Sequence, residues 1–161
     1  DASKSRGLGD VYKRQGVFGG RMKENVERCG ATAVMVMDRW GDPVDPEKLE
    51  AAIKAHPDAK VVAFVHAETS TGVRSDAETL CRIAKDAGVL VIVDAVTSLA
   101  GIELKADAWG ADVIYSGTQK CLSGLPGISP ITFSDAAVEV IRSRTQKVQS
   151  WFLDLNLIMG Y

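Results

Sequence analysis

The sequence has little of what marks a nucleic-acid-binding, membrane or disulfide-rich protein. Its 19 cationic and 21 anionic side chains nearly balance, which excludes a basic footprint for nucleic acid and a polybasic patch for a membrane surface. The longest apolar runs, 61–65 and 89–93, have strand length and fall far short of the roughly 20 residues that cross a bilayer. The three cysteines, Cys29, Cys81 and Cys121, lack metal-like spacing and indicate a reducing compartment, and no apolar signal-peptide core is present. A cytoplasmic protein without a metal site is therefore expected.

Residues 1–15 differ in character from the rest of the chain. They show neither helical nor strand periodicity, and they carry four cations against two acids. From Ser5 to Gln15 the residues match the translation of one reading frame of a transposase sequencing adapter. We therefore interpret 1–15 as a non-native tail, with the natural sequence beginning at Gly16 and residues 16–161 forming part of one large domain.

Helical and strand patterns alternate from residue 16 onward. Asp45 is expected to cap one of the helices and Pro46 to occupy its first position. The pattern predicts helices over 21–29, from 45, over 76–87, 135–144 and 151–161, and strands over 31–37, 60–65, 89–93, 112–115 and 128–133. This alternation predicts an α/β fold, a three-layer sandwich with a mostly parallel sheet and helices on both faces. A ligand is expected at the carboxyl ends of the strands.

Two residues with catalytic side chains follow predicted strands directly. Asp94 ends the apolar run 89–93, and a carboxylate there must be paired or hydrogen-bonded. Lys120 follows the strand 112–115 with apolar neighbours, which favours the neutral amine that attacks carbonyl groups. From these residues alone, a structural ion pair between Asp94 and Lys120 is an equally good interpretation.

Four motifs in order resemble the successive blocks of class V, fold type I pyridoxal-phosphate aminotransferases. They are Gly-Val-Phe-Gly-Gly-Arg from residue 16, His-Ala-Glu-Thr-Ser-Thr-Gly from 66, Val-Asp-Ala-Val-Thr-Ser from 93 and Ser-Gly-Thr-Gln-Lys-Cys-Leu from 116. The nearest group within that family is alanine/serine–glyoxylate (serine–pyruvate) transaminase. The resemblance covers residues 16–161 and implies that they form an incomplete cofactor-binding large domain.

The resemblance implies a catalytic role for two residues. Lys120 would hold pyridoxal phosphate as a Schiff base and later move a proton between the substrate and the cofactor. Asp94 would bond the pyridine nitrogen and keep it protonated, so that the ring withdraws electrons. A loop-turn or helix-capping carboxylate is the structural alternative for Asp94.

Four more residues would contact the cofactor by the same resemblance. Val96 would press on one ring face, and Phe18 would stack on the other, where many relatives carry Trp or Tyr. Thr69 would bond near the phenolic oxygen, and Gln119 would donate to the phosphate. Core packing for Val96, a hydrophobic staple for Phe18 and loop ordering for Gln119 remain open alternatives.

The resemblance also implies parts that lie outside this sequence. These are a phosphate-binding turn, a substrate-carboxylate arginine in a small domain and a partner subunit of a homodimer. The expected reaction moves an amino group from alanine or serine to glyoxylate or another 2-oxo acid. Ureidoglycine–glyoxylate and aminoethylphosphonate transaminases, a cysteine desulfurase-like enzyme and a non-catalytic α/β fragment are the alternatives. We expect the 161-residue chain alone to be inactive or to bind cofactor weakly.

Overall fold

The computed structural model describes residues 9–14, as backbone, and residues 16–160. The strands are β1 (Gly9–Arg14), β2 (Thr32–Met37), β3 (Ala59–Val65), β4 (Ala67–Glu68), β5 (Val73–Arg74), β6 (Leu90–Asp94), β7 (Val113–Tyr115) and β8 (Ile131–Phe133). The helices are α1 (Val17–Arg28), α2 (Pro46–Ala55), α3 (Ala77–Asp86), α4 (Ala106–Trp109), α5 (Asp135–Arg142) and α6 (Leu155–Ile158). A 3-10 turn covers Trp151–Leu153. No helix among these residues is long and apolar enough to cross a membrane.

Six of the strands form one sheet in the order β2-β1-β3-β6-β7-β8. Its first five strands are parallel, and β8 pairs antiparallel with β7 at the edge. No helix separates β7 from β8, so the connecting loop can bring the chain back along the same edge in the opposite direction. The strand predicted over 128–133 is shorter than expected, and it is antiparallel to its neighbour.

Helices cover both faces of this sheet. On β3, Val62 and Phe64 pack on the face that α2 and α3 cover, where Leu80 is also fully buried. Val65 of β3 points to the other face and packs with Met22 of α1. Since side chains alternate along a strand, a strand covered on both faces is apolar throughout. The expected α/β class, with a mostly parallel sheet between helices, is confirmed.

Helix ends follow the local chemistry of the sequence. Asp45 caps α2 by accepting from the Glu47 backbone N–H at 2.9 Å, as predicted. Ser134 caps α5 through the Ala137 N–H at 3.1 Å. A helix, or the start of one, was predicted over 151–161, and the structure has a 3-10 turn followed by one helical turn, which Asp154 caps. Residue 161 lies outside the described residues.

The strand β1 corrects one expectation, because residues 9–14 were predicted to have no regular structure. This segment lies between β2 and β3, and all six residues pair with β2 in parallel register. Parallel pairing uses backbone groups that every residue carries, so side-chain periodicity did not reveal it. The interpretation of 1–15 as non-native is not tested by this pairing, and residues 1–8 and 15 lie outside the described residues.

Candidate active site

The loops that follow β6 and β7 begin side by side. The Ala95 backbone N–H donates to the Tyr115 carbonyl at 2.9 Å. The buried Ser116 hydroxyl donates to the Ala95 carbonyl, also at 2.9 Å. The sheet therefore brings together the two segments that carry Asp94 and Lys120, as expected for neighbouring parallel strands.

Lys120 sits in a turn that backbone hydrogen bonds hold at several points. The Thr118 N–H donates to the Ile128 carbonyl at 3.2 Å, and the Gly124 N–H donates back to the Thr118 carbonyl at 2.8 Å. Within the turn the Ser123 N–H donates to the Lys120 carbonyl at 2.9 Å. Lys120 itself is half-buried. The backbone at Lys120 is thus fixed, while its side chain keeps access to solvent.

Thr97 joins three loops of the site. Its carbonyl accepts from the Cys121 thiol at 3.2 Å, which ties the lysine turn to the loop after β6. Its hydroxyl hydrogen-bonds that of Thr69, which lies in the loop after β3. Cys121 is exposed, because the lysine turn lies on the surface. Thr97 lies inside the motif that begins at residue 93, but no role was predicted for it.

The carboxylate of Asp94 is almost fully buried, with 6% of the residue exposed. Its Oδ1 accepts from the Val96 N–H at 2.9 Å, and its Oδ2 accepts from the Tyr115 hydroxyl at 2.7 Å. Burial raises the pKa of this carboxyl above its ordinary value, and the negative charge of Glu68 raises it further. The two hydrogen bonds lower that pKa and oppose both effects. Lys120 is not among the residues that bond Asp94, so the alternative of a direct ion pair is not supported.

The loop after β3 is held by a buried carboxylate. Glu68, 1% exposed, accepts at Oε1 from the Ser70 N–H at 3.0 Å and from the Ser70 hydroxyl at 2.7 Å. The Val17 N–H donates to the Ser70 hydroxyl at 3.3 Å, so Ser70 connects this segment to the start of α1. A Cβ on Gly16 would lie 2.7 Å from Glu68 Cδ, so this glycine permits the close approach.

Two buried polar atoms in this loop have no hydrogen-bond partner among the described residues. They are Glu68 Oε2 and the Thr71 hydroxyl. The Thr71 backbone N–H, by contrast, donates to the Glu68 carbonyl at 3.2 Å. Buried groups of this kind are rare and point to a ligand or water nearby.

The side chain of His66, which follows β3 directly, has its partners within the chain. Its Nδ1 lies 3.1 Å from the buried Ser98 hydroxyl, and its ring meets Trp109 edge-on at 5.5 Å between centroids. Burial lowers the pKa of His66, and the positive charge of Arg74 lowers it further. The ring is therefore neutral near pH 7 and has a packing role.

The remaining candidate residues lie near the same loops without a contact that fixes their role. Phe18 is half-buried against the cluster of Met22 and Val65, and the Arg21 guanidinium lies 4.8 Å from its ring centroid. Val96 is half-buried and Gln119 is exposed. Their cofactor contacts stay predictions. Within residues 16–160 no cluster of three metal-ligating side chains occurs.

Comparison with known proteins places this chain in a family. The family model described as aminotransferase class-V matches residues 21–147. The chain therefore belongs to the class-V aminotransferases. It is 40% identical over 129 residues to the (S)-ureidoglycine–glyoxylate transaminase of Bacillus subtilis, a match covering 80% of this chain and 31% of that protein.

Two further relatives are named for alanine and glyoxylate. The alanine–glyoxylate aminotransferase of Drosophila melanogaster is 35% identical over 147 residues, which is 91% of this chain and 37% of that protein. The crystal structure of an alanine–glyoxylate aminotransferase from Nostoc sp. superposes with a TM-score of 0.92 at 39% identity, over 96% of this chain and 41% of that one. The chain thus spans about a third to two fifths of the length of these relatives.

The residues present fit pyridoxal phosphate, the cofactor that this family implies. A buried carboxylate suits a protonated ring nitrogen, a half-buried lysine amine suits an aldehyde, and a threonine hydroxyl suits a phenolic oxygen. Asp94, Lys120 and Thr69 supply these groups. Hydrogen bonds connect the segments that carry them. Glu68 and Thr71, whose side chains carry the unpartnered oxygens, flank Thr69 in the chain.

Proposed function

We propose that this chain is the central part of a pyridoxal-phosphate transaminase that moves an amino group from alanine or serine to glyoxylate or another 2-oxo acid. The observation that carries the proposal is a pair of hydrogen bonds, from Ser116 to Ala95 and from Cys121 to Thr97, that join the Lys120 turn to the loop after Asp94. These bonds support the proposal, because such a cofactor needs an amine and a buried carboxylate close together. The relatives named for alanine and glyoxylate support the choice of substrates.

Each residue has a defined task in this proposal. When bound, the cofactor supplies an electron-withdrawing ring that stabilises negative charge at the substrate carbon next to it. Asp94 would hold the ring nitrogen in its protonated state, and the Lys120 amine would hold the aldehyde carbon and could move a proton at the substrate carbon. Val96 and Phe18 hold the ring from its two faces. Thr69 orients the phenolic oxygen, and Gln119 donates to the phosphate.

Transamination of ureidoglycine with glyoxylate is the second candidate. The 40% identity to the Bacillus subtilis enzyme of that name favours it. Both candidates share glyoxylate and differ in the amino donor. A donor panel of alanine, serine and ureidoglycine, measured on the parent protein with glyoxylate as acceptor, separates them by which donor yields glycine fastest.

The first test of this proposal is covalent binding of the cofactor. The parent protein, incubated with pyridoxal phosphate, should show the visible absorbance band of lysine-bound cofactor, and Lys120→Ala should abolish it. Lys105→Ala is a matched control, because Lys105 is 2.9 Å from Glu103 and bonds within its own loop. Loss of the band in the control, or its persistence in Lys120→Ala, contradicts the assignment.

The parent protein is further proposed to act as a cytoplasmic homodimer that binds neither nucleic acid nor membrane. The charge balance of the sequence supports the last two points. The isolated 161-residue chain is proposed to be inactive or a weak cofactor binder. Robust transamination by that chain contradicts this.

Residues 1–15 are proposed to be a non-native tail preceding a partial large domain over 16–161. In support, the residues from Ser5 to Gln15 match the translation of one reading frame of a transposase sequencing adapter. Sequencing the source DNA across the Gln15–Gly16 junction tests this. A native reading frame running upstream through Gln15 refutes it.

A further inference from the structure

Tyr115 and Asp94 are direct neighbours across two parallel strands. Asp94 ends β6 and Tyr115 ends β7, and the two residues are register partners. Register partners on adjacent strands point their side chains to the same face of a sheet. On β6 that face is the one of Ile92, which packs in the same cluster as Phe18. The Tyr115 hydroxyl therefore meets Asp94 on the side of the sheet that carries the proposed ring-stacking residue.

We propose that Tyr115 is a positioning residue for Asp94, fixing the orientation of its carboxylate through the 2.7 Å hydrogen bond from the tyrosine hydroxyl to Oδ2. This inference rests on the proposed function, because it assigns Tyr115 a task in the same site. The Val96 N–H holds the other oxygen at 2.9 Å. With one donor on each oxygen, the carboxylate plane cannot rotate, and a second lone pair on each oxygen stays available for a ring nitrogen.

The hydrogen bond also opposes the two influences that favour a protonated carboxyl. Burial raises the pKa of Asp94, and so does the nearby negative charge of Glu68, while the Tyr115 bond lowers it. His66, at the end of neighbouring β3, donates its backbone N–H to the Asp94 carbonyl at 2.9 Å and turns its ring toward Ser98. Tyr115 thus helps to keep Asp94 ionised, the state needed to retain a proton on the ring nitrogen.

The experiment is a titration of Asp94 in the 161-residue chain without cofactor. Carbon-13 labelling of the aspartate carboxyls, with the Asp94 signal assigned from Asp94→Asn, gives its midpoint in the unmodified chain and in Tyr115→Phe. We expect the midpoint to move to higher pH in Tyr115→Phe, because the ionised carboxylate loses a donor. Glu68→Gln should move it to lower pH, because a neighbouring negative charge is removed. The signal of Asp112, at the opposite end of β7, is the internal reference and should not change between these variants.

Two results overturn the inference. One is an Asp94 midpoint that Tyr115→Phe leaves unchanged while Glu68→Gln moves it. The other is an equal movement of the Asp112 signal, which would indicate a general loss of structure. Because the titration needs no cofactor, its outcome is separate from the Lys120→Ala test: absence of the visible band would refute the proposed function without altering the titration result.

Discussion

Asp112 should contribute more to stability than its ion pair suggests. Its side chain is fully buried, and it accepts from the Val91 N–H at 2.9 Å, the Ser134 hydroxyl at 2.7 Å and the Lys85 ammonium at 3.1 Å. Each hydrogen bond to a charged group contributes about 1.5–3 kcal/mol, and removing the acceptor leaves the buried Val91 N–H without a partner. Asp112→Ala should therefore lower the free energy of unfolding by about 3–5 kcal/mol.

Lys85 should contribute less than Asp112 to the free energy of unfolding. The Lys85 side chain is 43% exposed, so water can replace the carboxylate around its ammonium. Lys85→Met should lower the free energy of unfolding by about 1 kcal/mol. Urea unfolding at pH 7, followed by circular dichroism on both variants, measures the difference. An equal loss in the two variants would show that the ion pair, and not the two buried donors, carries the contribution.

Two further predictions concern buried titratable groups. Burial raises the pKa of the Cys81 thiol to about 12, so Cys81 should resist alkylation in the folded chain at pH 8 while the two exposed thiols react. Mass spectrometry counts the modified cysteines, and three modifications without denaturant would contradict this. The lowered pKa of His66 means that the unfolded chain binds the proton more tightly, so stability is lost as the pH falls below the ordinary histidine value of about 6.5. His66→Gln should flatten that part of the stability–pH curve, and an unchanged slope would refute the assignment.

The parts of the fold that depend on local chemistry were predicted well. The cap at Asp45, the helix predicted over 135–144 and the apolar strands around Phe64 and Val91 follow from residue type and periodicity alone. The sequence pattern could not predict the direction of each strand or which strands pair with each other. The direction of β8 depends on the path of the loop that precedes it, and β8 is antiparallel. The small β4–β5 hairpin lies in a segment for which no strand was predicted, and it depends on the pairing of that segment with itself.

Some residues of the candidate site could likewise be predicted from the sequence, and others could not. Lys120 and Asp94 stand at strand ends in recognisable motifs, and the structure brings their loops together. Thr97 and Tyr115 act between segments that are distant in sequence. Tyr115 could have been found by aligning the last residues of neighbouring strands, since parallel strands place them side by side. Thr97 had no such signal, because its two bonds depend on the shape of the surrounding turns.

The strand pair β6–β7 has an anionic side chain at each end, and the two serve different purposes. At the carboxyl end, Asp94 lies among loops proposed to hold cofactor. At the amino end, Asp112 links the start of β7 to the cap of α5 and to α3. The contacts that hold the sheet to α3 and α5 are therefore separate from the loops in which the proposed chemistry takes place.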